Sequence, residues 1–207
     1  MKPVTRQIIL IGLLMLGVLF YETMRPVPQP PGILAPDPPR IGELTQKART
    51  FVRNEYVYTA LAALDLRARV LSVERYGRDR ESQVALLDVA LGWGRMSDSK
   101  TLKNVDVAQT ERRVLSKSYD PELPDAEVEA SILNLHLVTS DPDVEKTLRE
   151  LRAGNIVRLE GSLVEAVAGD GWRWKGQIQQ NRVPALPGTL LWVERIEVEQ
   201  SQPATKS

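Results

Sequence analysis

Ala63-Leu64-Asp65-Leu66-Arg67-Ala68-Arg69-Val70-Leu71-Ser72-Val73 alternates apolar and polar residues with a period of two, and then slips. Leu64, Leu66, Ala68 and Val70 share one face while Asp65, Arg67 and Arg69 share the other, the pattern of a strand with one buried side. At Val70-Leu71 two apolar residues stand together and the apolar phase moves to Leu71 and Val73. One extra residue in the strand has that effect, so a β-bulge and a strong bend are expected there.

Downstream, the polar turn of residues 77–82 leads to a second strand over 84–93, apolar on both faces and therefore central. Its end, Gly92-Trp93-Gly94, sets two glycines around one ring. Less regular strands follow over 105–115. A clearer one spans 130–139, with Leu133, Leu135 and Leu137 on one face and Asn134 and His136 on the other. Next comes a helix with Ser140 or Asp141 as N-cap, Pro142 in the first turn, a Val144-Leu148-Leu151 stripe and Gly154 as the stop. Residues 156–164 read as a strand broken by Gly161. Gly169-Asp170-Gly171 then turns the chain into Trp172-Arg173-Trp174-Lys175, whose two rings share a strand face. A last strand over 190–199 carries a second phase slip between Val193 and Ile196.

The order bent strand, strand, strand, helix, strand, strand predicts a mainly β (α+β) domain, an OB-like small β-barrel with one capping helix. An SH3-like barrel or an irregular α+β sandwich shares much of this pattern. Upstream, Ile41, Leu44, Ala48, Phe51 and Val52 form a helical stripe, so a short flanking helix is expected to open the domain of residues 41–199. Residues 200–207 read as a disordered tail.

Residues 8–21 are an apolar run preceded by Lys2 and Arg6, and residues 1–24 reach the length a membrane-spanning helix needs. No small-x-small cleavage pattern follows the run, which favours an uncleaved anchor over a cleaved signal. The flanking charges keep the N-terminus in the cytoplasm, so the expected location is a single-pass protein of the bacterial inner membrane with its domain in the periplasm. Residues 25–40 are proline-rich and read as an extended linker, which at about 3.1 Å per residue would reach on the order of 50 Å. The chain has no cysteine, so an exported domain must be held together by its own core.

With 27 basic and 27 acidic residues interspersed, the chain lacks the clustered positive charge that a phosphate backbone selects. Arg67, Arg69, Arg75, Arg78 and Arg80 are interleaved with carboxylates and read as a solvated face. No nucleophile elbow, phosphate-binding loop or zinc-protease motif is present. His136 is the one histidine; it lacks metal-ligand spacing to any partner, so no metal and no cofactor is expected. A histidine alternating with leucines reads as a buried, hydrogen-bonded residue, with general-base catalysis as the competing role. Asn134 shares its face, either as a neighbour in a polar network or as a ligand contact. Trp93 and Trp192 lie in apolar patterns and read as core. Trp172, Arg173 and Trp174 form either an exposed platform for a partner or a buried lid.

Over most of its domain the chain resembles a group of bacterial membrane-anchored proteins of unknown function. The resemblance lies in Asp88-Val89-Ala90-Leu91-Gly92-Trp93-Gly94-Arg95-Met96-Ser97-Asp98, in Asn134-Leu135-His136-Leu137 and in Trp172-Arg173-Trp174. It implies one compact domain and supplies no activity. The expected function is a non-enzymatic binding or assembly module whose ligand is a protein partner in an envelope complex. The alternatives are an envelope hydrolase using His136 and a nucleic-acid-binding OB domain in a DNA-transfer system.

Overall fold

The structure, a computed structural model, describes residue 15 and residues 25–44, 49–77, 79–175 and 189–199. Apart from residue 15, the expected anchor lies outside the described residues, as does the tail. Five strands carry the architecture: β3 (Tyr56–Glu74), β4 (Leu87–Gly92), β7 (Ile132–Val138), β8 (Ile156–Ala168) and β10 (Leu190–Glu199). β3 pairs with β4, β4 with β7, β7 with β10, β10 with β8 and β8 again with β3, so the pairings close a circuit. All are antiparallel except β7–β10, which is parallel. The fold is mainly β and barrel-like.

The bulges explain how 19 residues of β3 serve neighbours on several sides. The β3–β4 register shifts between Val70 and Ser72, leaving Leu71 as the extra residue where the apolar phase slips. A second shift, between Val193 and Arg195 in the β10–β8 pairing, matches the other slip. A third between Ala60 and Ala62 bends β3 again. Gly161 does not interrupt β8, contrary to the sequence reading. A Cβ there would overlap the Trp192 carbonyl oxygen, so glycine is what lets β10 cross closely beside its own bulge.

Inside the circuit, Leu64, Leu66, Val89, Leu91, Leu133, Leu135, Leu137, Leu159 and Leu191 pack as one core. Helix α3 (Pro142–Arg149) closes one end. Its Asp141 cap accepts from the backbone N–H groups of Asp143 and Val144, and Pro142 occupies the first turn. Leu148 and Leu151 are 0% and 1% exposed within the barrel core. The helix ends at Glu150 rather than at Gly154.

Before β3 the structure corrects two expectations. Where the expected flanking helix is described there are instead two short strands, β1 (Arg40–Gly42) and β2 (Thr50–Arg53), both antiparallel to β3; Ala48 lies outside the described residues. Tertiary packing overrides the helical pattern: Phe51 stacks on Trp192 at 4.4 Å, which a strand paired with Tyr58 permits. Asn54, at φ 55°, makes the tight β2–β3 turn. The second correction concerns the proline-rich segment, which is a strap bound along the domain. Val27 N–H donates to Ala153, Gln29 Nε2 to the Gly154 carbonyl and Gly32 N–H to Asp98. The N–H groups of Leu34 and Ala35 donate to Ser97 Oγ, and the Ala35 carbonyl accepts from Gly94. Proline removes donors only at its own positions, and the intervening residues supply these bonds. Gly154, at φ 91°, faces the Val27 carbonyl so closely that no Cβ fits.

The chain between β3 and β7 adds cover. Residues Glu81–Val84 form one helical turn, α1, where the sequence reading had turn and strand. Between β4 and β7 two 3₁₀ turns lead to a hairpin, β5 (Val105–Thr110) and β6 (Arg113–Ser118), and then to helix α2 (Asp125–Ala130). Glu111 and Arg112 form its two-residue turn with φ 47° and 61°. Two left-handed non-glycine residues in succession are a costly turn, which persists where the surroundings hold it.

Candidate functional site

Because side chains alternate across a strand, the apolar members of β4 and β7 that fill the barrel turn Asp88, Asn134 and His136 to its outer face. Asp88 and His136 are directly opposite in the β4–β7 register. Nδ1 of His136 lies 2.5 Å from Asp88 Oδ1, and both side chains are 0% exposed. With the carboxylate as acceptor, Nδ1 carries the proton. The His136 backbone N–H donates to the Thr189 carbonyl, continuing the pairing toward β10.

The hairpin turn lies over this pair, and Arg112 is its point of attachment. Its N–H donates to Tyr76 Oη, its carbonyl accepts from Asn134 Nδ2, and its Nη2 donates to both oxygens of Asp79 at 2.7 and 2.6 Å. Nη1 lies 3.7 Å from Asp88 Oδ1, and the guanidinium sits 4.1 Å over the Tyr76 ring and 5.5 Å from the Trp174 ring. These contacts hold the left-handed backbone of the turn. Gln109 completes the cover by donating to Asn134 Oδ1. Among the described residues, Asp88 Oδ2, Gln109 Oε1, Arg112 Nη1 and Thr189 Oγ1 are buried without a hydrogen bond, so the cluster is expensive and intolerant of losing a member.

On the other side β9 (Arg173–Lys175) pairs with β8 and brings in the aromatic residues. Trp174 packs against His136 with centroids 4.8 Å apart, and Trp172 meets Trp174 edge-on at 6.3 Å. Arg80 lies 4.8 Å over the Trp172 ring, pairs with Asp170 at 2.8 Å and donates to Tyr56 Oη. Trp172 and Trp174 are half-buried, whereas Arg173 is exposed on the opposite face of β9. The structure thus brings Trp172, Trp174, His136 and Asn134 to one patch and turns Arg173 away from it. Trp93 and Trp192 are buried in two separate cores, as the sequence pattern indicated.

Sequence reasoning missed Asp88 and Arg112. Asp88 carried a usable signal: it is the one charged residue in an otherwise apolar central strand. Arg112 carried none, since a turn residue in a polar loop has many possible partners. The arginines read as a solvated face are structural pins: Arg67 binds Glu199 and the Leu34 carbonyl, Arg69 binds Ser99, and Arg75 donates to the carbonyls of Arg149 and Leu151. Arg78 lies outside the described residues.

Electrostatics follow from these contacts. Hydrogen bonds from Arg112 hold the Asp79 carboxyl below its ordinary range, and Arg80 does the same to Asp170. Burial, helped by the charge of Asp88, pushes the Tyr76 phenol up. A carboxyl depressed in the folded state contributes stability that is fully present above its unfolded pKa of about 3.9 and is lost as pH falls through the folded value. The denaturant midpoint is therefore expected to hold from pH 7 to about 5 and to fall below about 4. Asp79→Asn should flatten that fall, and added salt should shrink it, because Asp79 is solvent-accessible.

Among the described residues no group of three or more His, Cys, Asp or Glu side chains is placed to hold a metal ion, and no helix is long and apolar enough to cross a membrane. The chain matches no family model, no curated protein and no solved structure.

Proposed function

We propose that this chain is a membrane-anchored envelope protein whose domain is an OB-type barrel acting as a non-enzymatic binding module for a protein partner. The OB reading draws on the circuit β3-β4-β7-β10-β8, its one parallel pair β7–β10, and α3 placed between the third and fourth barrel strands. The observation that carries the functional reading is the burial of His136. A general base must reach the proton it takes, and this imidazole is 0% exposed, bonded to Asp88 and packed under Trp174.

In OB domains the second and third strands and two loops form the ligand surface. Here those strands are β4 and β7, and their outer face is occupied by Gln109, Arg112 and Trp174 of the same chain. That cover disfavours a nucleic-acid strand along the face and favours a protein at its rim. At the rim the β3–β4 loop meets the chain after β8, and Arg80, Tyr56 and Trp172 join there. A half-exposed tryptophan backed by an arginine is the residue type that dominates protein interfaces.

Co-purification from detergent-solubilised membranes of the native host tests this. Trp172→Ala is expected to lose the partner recovered with the wild-type chain while the domain still folds, with a stability loss of about 1–2 kcal/mol from its packing on Tyr56 and Trp174. Retention of every wild-type partner by the folded variant would overturn the rim assignment.

A further inference from the structure

The bound strap changes what the anchor can do. A free 16-residue linker would let the domain sit far from the bilayer in any orientation. Instead, Val27 is already hydrogen-bonded to Ala153, Gln29 to Gly154, and Ser99 Oγ to the Gln29 carbonyl. Only Arg25 and Pro26 separate that first contact from the expected end of the anchor at residue 24. Three extended steps span at most about 11 Å, no more than a headgroup layer and its hydration.

We infer that the turn joining α3 to β8, residues 150–155, together with the C-terminal end of α3, is the surface this domain lays against anionic phospholipid headgroups. The inference rests on the anchor reading above and adds the orientation. Charge supports the same surface. Arg25, Lys146, Arg149 and Arg152 lie on or beside it, and Arg75 is fixed there by donating to the Arg149 and Leu151 carbonyls. The carboxylates on the same end are Glu74, Glu145 and Glu150; Glu145 pairs with Arg149 and Arg53, so that carboxylate and Arg149 offset one another. With that pair set aside, Arg25, Arg75, Lys146 and Arg152 stand against Glu74 and Glu150, and a basic excess near an anionic surface is attracted to it. Gly169 follows the opposite end of β8, which runs Ile156–Ala168, and so is separated from the 150–155 turn by the whole strand.

The absence of cysteine makes the test direct, because one introduced thiol is the sole labelling site. Glu150 is exposed, and a side chain at Gly169 meets nothing within 4 Å. The full-length chain carrying Glu150→Cys or Gly169→Cys is labelled with a fluorophore and reconstituted into vesicles of phosphatidylethanolamine and phosphatidylglycerol containing a headgroup-attached quencher. Quenching is expected to be several-fold stronger at position 150 than at position 169, and to weaken at 150 when phosphatidylcholine replaces phosphatidylglycerol. Equal, weak quenching of both labels in chains that remain vesicle-bound would overturn the orientation and leave the anchor standing. Quenching at 150 that is indifferent to phosphatidylglycerol would overturn the anionic recognition. A full-length chain that fails to stay with vesicles would remove the anchor and this inference together.

Discussion

Leu148→Ala is expected to destabilise the domain by about 2–5 kcal/mol in a urea or guanidinium melt, with Leu151→Ala in the same range. Both side chains are essentially fully buried in the barrel core; Leu148 comes from the eight-residue α3, whose other positions are mostly exposed, and Leu151 from the turn just after it. Truncation removes the transfer free energy of three carbons and leaves a cavity at the barrel end. The strap and β8 cannot collapse into it, because Gly154 and Val27 are already in close backbone contact beside it. A loss below about 0.5 kcal/mol would mean that α3 lies on the barrel without closing it.

The second large effect is at the polar cluster. His136→Leu should cost about 3–5 kcal/mol, since it strands a buried Asp88 whose second oxygen already lacks a hydrogen bond among the described residues. Asp88→Asn with His136→Gln should recover part of that loss, because two neutral amides satisfy one another without a buried charge. The double-mutant cycle reads the coupling directly. Arg112 lies 3.7 Å from Asp88 and bonds the β3–β4 loop, so loss of the pair should also loosen the β5–β6 hairpin, visible as faster amide exchange in β6.

The elements that local pattern controls were readable from the chain. Both phase slips fall where β3 and β10 carry bulges, because a one-residue shift of an alternating pattern is visible without knowing the partner strand. The α3 start was equally local, set by Asp141 and Pro142. What failed depended on contacts distant in sequence. Ile41, Phe51 and Val52 fit a helical stripe as well as two strands, and pairing with β3 decides for the strands. The strap was read as a linker from its prolines, yet its fate is set by Ser97, Asp98 and Gly154 more than sixty residues away. The candidate site was half legible: His136 stood out as a lone histidine, whereas its cover comes from a hairpin turn whose composition announces nothing.

The central claim, that His136 supports a binding module instead of performing chemistry, meets its most direct measurement in His136→Gln. Glutamine keeps a donor for Asp88 and cannot serve as a general base. The variant should fold with a modest stability loss of about 1–3 kcal/mol, and recover the same membrane partners and support the same cellular function as the wild-type chain. A His136→Gln protein that is folded and still bound to its partners, yet has lost that function, would contradict the account and return the histidine to catalysis.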